Sequence, residues 1–228
     1  MFPIRDTIRS KSIPLVNLTI IAANVLVFLF QSTLSRRGFM SSIETFGLVP
    51  AQFSISRPYE FLTILSSMFM HGGWFHLISN MWILYIFGDN VEDRMGSGRY
   101  LIFYLVAGAI AAGTHIFFMP GLRQPTVGAS GAVAGVLGAY FLLFPQSRVV
   151  TFIPIFFLPW FVQIPAFFYL GIWFLSQLAN GLMVDQGLTG IAWWAHIGGF
   201  VTGIVLVRFF ERPKRIEIAY HQGDAWQR

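Results

Sequence analysis

Long apolar runs without charge constrain this chain more than any other feature. They recur at about Pro14–Gln31, Gly73–Gly88, Tyr100–Met119, Ser130–Phe144, Ile164–Met183 and Ala192–Phe210. A helix of about 20 such residues crosses the roughly 30 Å hydrocarbon core of a bilayer. In water, 228 residues that are 55% hydrophobic and 11% charged could not hide so much apolar surface. The pattern predicts an all-α membrane protein with six transmembrane helices: an N-terminal tail over 1–13, a membrane domain over 14–210 and a C-terminal tail over 211–228. Arg5, Arg9 and Lys11 before the first run have the charge layout of a signal peptide, but no small-residue cleavage site follows, so that run reads as a retained span.

Two further apolar stretches are left out of the count. Val149–Val162 carries Pro154 and Pro159, with Pro165 just beyond, a pattern that breaks helix, and is expected to be an interfacial loop. Phe61–Met70 is cut from the second span by His71-Gly72-Gly73 and is placed in a partly embedded first loop. Basic residues test the count, since short cytoplasmic loops are enriched in them. With the N-terminus inside, the cytoplasmic segments collect Arg5, Arg9, Lys11, Arg94, Arg99, Arg148, Arg208, Arg212, Lys214, Arg215 and Arg228, leaving Arg36, Arg37, Arg57 and Arg123 outside. Eleven against four puts both termini in the cytoplasm, as an even number of spans requires. The net charge of +5 is thus a matter of orientation, and nucleic acid is not an expected partner. The absence of Cys removes disulfides, thiolate nucleophiles and Cys-ligated metal.

Polar residues inside spans are costly in hydrocarbon and point to function. His71, His76 and Asn80 lie at the start of the second span, Ser130 at the start of the fourth and His196 near the start of the sixth. Even-numbered spans all begin on the outer side, so these groups share one depth. Counting Val149–Val162 as a seventh span would send His196 to the opposite face. From Ser130 to Pro145 the fourth span has some fifteen residues, about 22 Å of helix, which submerges Ser130 by about 8 Å if Pro145 and Arg148 reach the inner interface. Ser130, Ala134 and Gly138 fall at i, i+4, i+8, and His196, Gly199 and Gly203 at i, i+3, i+7. Two small-residue faces of this kind let helices approach closely, which would bring an imidazole beside a hydroxyl, the pairing a serine nucleophile needs. His76 and Asn80 share a helix face, and with the amides of Ser130 and Gly131 at a helix start they could surround a developing oxyanion. His71 and His76 are five apart, a poor spacing for one face, and no HExxH motif is present, so no metal is expected. Trp193-Trp194 reads as an outer aromatic belt, and Asp89, Glu92, Asp93 and Arg94 as residues that cap and orient a loop.

At these positions the sequence resembles the rhomboid family of intramembrane serine proteases. Gly128-Ala129-Ser130-Gly131 matches G-x-S-G, Ala195-His196 with Gly199 and Gly203 matches A-H-x-x-G-x-x-x-G, and His71, His76 and Asn80 stand at the family spacing on the second span. Gly88, Glu92, Arg94 and Gly96 look like the family's loop after that span, and the resemblance covers roughly 14–210. It implies a six-helix rhomboid bundle with an embedded first loop and a short catalytic fourth helix. Ser130 would be the nucleophile and His196 the general base of a dyad without a third carboxylate. His76, Asn80 and the Gly131 amide would serve the oxyanion, and His71, Gly128, Gly199 and Gly203 would support the site. The implied substrates are membrane proteins cleaved within or beside a transmembrane helix, in contact with lipid and without metal or cofactor. Two departures stand out: Tyr59-Glu60 where many relatives have Trp-Arg, and Ala134 where some have Tyr.

A catalytically inactive rhomboid-like protein that binds membrane clients is the alternative, and predicts loss of Ser130 or His196; both are present. A transporter would favour intramembrane carboxylates across the full thickness, whereas here the polar residues stop in the outer half. The expected setting is a bacterial plasma membrane, with the site opening outward and substrate helices arriving past the fifth span and the loop around Asp185-Gln186-Gly187.

Overall fold

Each of the six apolar runs is a helix in a computed structural model, which describes residues 2–54, 56–155, 158–184 and 190–212. In chain order the elements are strand β1 (Phe2–Asp6), helices α1 (Leu15–Thr33), α2 (Arg36–Phe46), α3 (Glu60–Ser66), α4 (Trp74–Met95), α5 (Ser97–Phe118) and α6 (Ser130–Leu143), strands β2 (Arg148–Ile155) and β3 (Leu158–Pro165), and helices α7 (Ala166–Met183) and α8 (Trp193–Phe210). Four of these helices, α1, α5, α7 and α8, are long and apolar enough to cross a membrane alone. α3 with the turn after it and α4 form a pair bent by 80° that makes a fifth candidate, and α6 is apolar but only 14 residues long, about 21 Å. The expected loop at Asp185-Gln186-Gly187 and all but Glu211 and Arg212 of the expected C-terminal tail lie outside the described residues.

The burial pattern is inside-out, as lipid demands. On α1 the buried stripe is Asn17, Ile20, Asn24, Phe28 and Gln31, while Leu18, Leu26, Leu29 and Phe30 are exposed. A helix that buries its amides and exposes its leucines is matched to a hydrocarbon solvent. α6 is the axis of the bundle: every residue from Ala132 to Tyr140 is buried, and α4, α5, α7 and α8 pack around it.

Among the described elements, the α6–α8 seam is the most extensive contact. A methyl group added at Gly199, Gly203 or Gly138 would run into the carbonyl oxygen of Gly131, Gly135 or Phe200 respectively. The helices therefore touch backbone to backbone, the approach that small-residue faces permit. The seam follows Gly131, Ala134, Gly135 and Gly138, which turns Ser130 to its edge instead of its centre.

Val149–Val162 is not a loop. It is an antiparallel hairpin in which β2 pairs β3 from Arg148↔Pro165 to Ile155↔Leu158, and β1 adds to the other side of β2 in the order β1-β2-β3. The prolines do break helix, but Val149, Val150, Thr151 and Ile153 are β-branched and suit a strand. Pro154 lies beyond Phe152, the last residue of β2 paired with β1. The N-terminal tail is thus partly structured. Its strand is held to α4 by Trp82 Nε1 donating to the Pro3 carbonyl at 2.7 Å, and to α6 by the Tyr140 hydroxyl donating to Asp6 at 2.5 Å.

The family-like residues after the second span also differ from expectation, since Gly88, Glu92 and Arg94 lie in the last turns of α4 and not in a loop. Buried Glu92 accepts from the first-turn amides of α1, Val16 at 3.1 Å and Asn17 at 2.8 Å, and from the Ser97 hydroxyl at 2.6 Å. A carboxylate there satisfies donors that a helix start leaves free. Arg94 pairs with Glu211 at 3.2 Å.

Candidate active site

The turn that carries Ser130 is built on the segment between α1 and α4. Leu48 and Thr126 exchange backbone hydrogen bonds of 2.9 and 2.7 Å, and the Gly128 amide donates to the Ser67 carbonyl at 2.9 Å. Gly128 has φ +126°, a conformation side chains strain to adopt, and a Cβ there would lie 2.6 Å from His76 Nε2. The backbone of the serine turn is therefore pressed against His76, and Asn80 Nδ2 lies just beyond, 3.6 Å from the same point. Ser130 opens α6, so its amide and that of Gly131 belong to the first turn, where helical N–H groups have no intrahelical acceptor.

Asn80, Ser130, Ala134, Trp173, Gln177 and His196 line one cavity of about 180 Å3. The structure thus brings the hydroxyl, the imidazole and the amide to a single space between α4, α6, α7 and α8. His76 is placed against Gly128 and is not in that lining. The His196 ring is walled by Trp173 and Trp193, each with its centroid 6.1 Å away. Trp193 is therefore a wall of the site, while Trp194 stacks on Phe118 at 4.0 Å. Ser130 and His196 share the cavity without a hydrogen bond between them among those described; His196 instead bonds through Nδ1 to Gln177 Oε1 at 2.9 Å.

His71 is fully buried in the break before α4. Gln31 receives its backbone amide at 3.1 Å, and its Nε2 lies 3.1 Å from Asn80 Nδ2. Its ring meets that of His76 edge-on at 5.1 Å. His71 is thus a buried hydrogen-bond partner of Asn80. Gly131 fits between α5 and α8, where an added Cβ would meet that of Ala111 at 2.8 Å, and Gly199 and Gly203 form the seam already described.

Three residues were not anticipated. Gln31 and Gln177 are polar groups within apolar runs, a signal as strong as that of Asn80. His115, buried on α5, lies 3.0 Å from the Thr126 hydroxyl. Both His115 and Thr126 border a second, smaller cavity of about 30 Å3 that also reaches Ser130 and Gly131. That is room for about one water.

Comparison with known proteins shows the family. A family model described as "Rhomboid domain" matches residues 58–212. The chain belongs to the rhomboid family. Among its relatives, "Rhomboid protein 1, mitochondrial" of Saccharomyces cerevisiae is 31% identical over 154 residues, 63% of this chain and 40% of that protein. "Presenilin-associated rhomboid-like protein, mitochondrial" of Homo sapiens is 33% identical over 142 residues, 60% of this chain and 35% of the relative. "Rhomboid protease GluP" of Bacillus subtilis is 37% identical over 89 residues, 39% of this chain and 17% of the relative. The matched stretch thus spans less than half the length of each. The protein is an integral membrane rhomboid, but the expected bacterial plasma membrane gains no support from relatives that carry mainly mitochondrial and chloroplastic names.

Proposed function

We propose that this rhomboid is an intramembrane serine endopeptidase that hydrolyses peptide bonds within or next to transmembrane segments, with Ser130 as nucleophile and His196 as general base. The observation that carries the reading is that Ser130, His196 and Asn80, from three separate helices, line the same cavity. In this reading Ser130 Oγ attacks the scissile carbonyl while His196 takes its proton, then returns it to the leaving amine. Asn80, His76 and the first-turn amides of Ser130 and Gly131 receive the developing oxyanion. Water deacylates the serine, and the small cavity at His115 and Thr126 is suited to hold one beside it.

The membrane domain is assigned to 14–210 with six crossings, α6 being a short one surrounded by protein. Both termini are assigned to the cytoplasm, with the site opening outward, on the eleven-to-four split of basic residues. Substrate helices would enter from the lipid beside α7, whose outer face is apolar and exposed. No metal or cofactor has a step in this mechanism. Cleavage of a model transmembrane substrate by purified protein tests the reading: Ser130→Ala and His196→Ala should each abolish it, and undiminished cleavage by either variant refutes the dyad.

A further inference from the structure

Gln177 stands on α7, away from the family motifs, and is 6% exposed. Its amide nitrogen lies 3.2 Å from the Trp173 carbonyl and 3.0 Å from the Ser176 hydroxyl, which itself donates to the Trp173 carbonyl at 2.6 Å. A carbonyl oxygen only accepts, so the Gln177 end facing Trp173 is the NH2 group and the end facing His196 is the C=O. That oxygen also only accepts. The proton between Gln177 and His196 therefore sits on His196 Nδ1, and the lone pair is on Nε2.

Resting on the dyad reading above, we propose that Gln177 is a positioning residue that fixes His196 in the Nδ1–H tautomer, leaving Nε2 free to take the proton of Ser130. Soluble triads give this task to a buried carboxylate. An amide does it without placing a charge at membrane depth, where an ion is expensive. Trp173 and Trp193 add two walls that limit rotation of the ring. Because Gln177 rides on α7 while Ser130 and His196 belong to the α6–α8 seam, the orientation of the base depends on a helix outside that seam.

The test measures kcat and KM separately from pH 5 to 9 on the full chain in a bilayer, with a transmembrane substrate. The proteins compared are wild type, Gln177→Met, Gln177→Glu and Ser130→Ala. Gln177→Met keeps the shape but not the acceptor and should lower kcat about tenfold or more, with KM changed less than about threefold. Gln177→Glu places a carboxylate on Nδ1–H, which favours the imidazolium, and should move the acidic limb of kcat/KM upward by about one pH unit or more while recovering kcat relative to Gln177→Met. An acidic limb that stays in place in Gln177→Glu overturns the proposal even if Gln177→Met does not fold. So does a change in KM alone. If Ser130→Ala cleaves like wild type, the dyad reading itself fails; if it is inactive while both Gln177 variants match wild type, only the role of Gln177 falls.

Discussion

The α6–α8 seam and helix α7 bound the same cavity yet are built on opposite principles. In the seam, Gly138, Gly199 and Gly203 press helix backbone against helix backbone and leave no room for a methyl group. On α7 only Ala166, Leu170 and Gln177 are buried, and Phe167, Phe168, Ile172, Leu175, Leu182 and Met183 face outward. Ser130 and His196 are thus carried on two helices packed backbone to backbone, and the third wall on a helix held by one narrow face. Such a division would let lateral access and close helix spacing coexist: displacing α7 would leave the α6–α8 backbone contacts in place, while parting Gln177 from His196.

The comparison breaks most visibly if the seam tolerates bulk. Gly203→Val drives a branched side chain into the Gly135 carbonyl and should cost about 3 kcal/mol or more with loss of all cleavage, read by thermal unfolding and substrate assay. Asn80→Ala removes a side chain held by His71 Nε2 at 3.1 Å, and should lower kcat by about 100-fold to 1,000-fold with a smaller loss of stability. At the far end of α6, Asp6 offers a pH test. Burial pushes its carboxyl up to about 6, with Asp89 adding to the rise and the Tyr140 hydroxyl opposing it. The native state then binds a proton more tightly than the unfolded chain, so the contribution of Asp6 is most favourable below about pH 4 and is lost as pH rises through about 6. Asp6→Asn keeps an acceptor for Tyr140 and Asn90 and should remove that slope from the unfolding midpoint measured between pH 4 and 7.5, leaving the variant the more stable above pH 6. The smallest effect belongs to the outer face of α7, where Leu175→Ala should change stability by no more than about 0.5 kcal/mol.

Apolarity alone located every long helix, because hydrocarbon length is a strong and nearly context-free constraint. It failed where polarity returned. α4 runs on to Met95 through Asp89, Glu92 and Asp93, since buried Glu92 is engaged by the α1 amides. The prolines of Val149–Val162 exclude helix without specifying a strand, and the hairpin's third strand comes from the N-terminal segment, a pairing across some 150 residues that no local pattern reveals. Small-residue spacing foretold the seam, although its register lies one position from the Ser130 face. Gln177 was visible as a polar residue within a span, but its pairing with His196 depends on the rotation of α7 about its axis, which apolar spacing does not specify.

The most direct measurement is the site of covalent modification by a fluorophosphonate, mapped by mass spectrometry on the purified protein. A serine activated by a cavity-sharing histidine predicts a single adduct on Ser130 in the wild type and none in His196→Ala. An adduct on another residue, or equal labelling of Ser130 when His196 is gone, would contradict it.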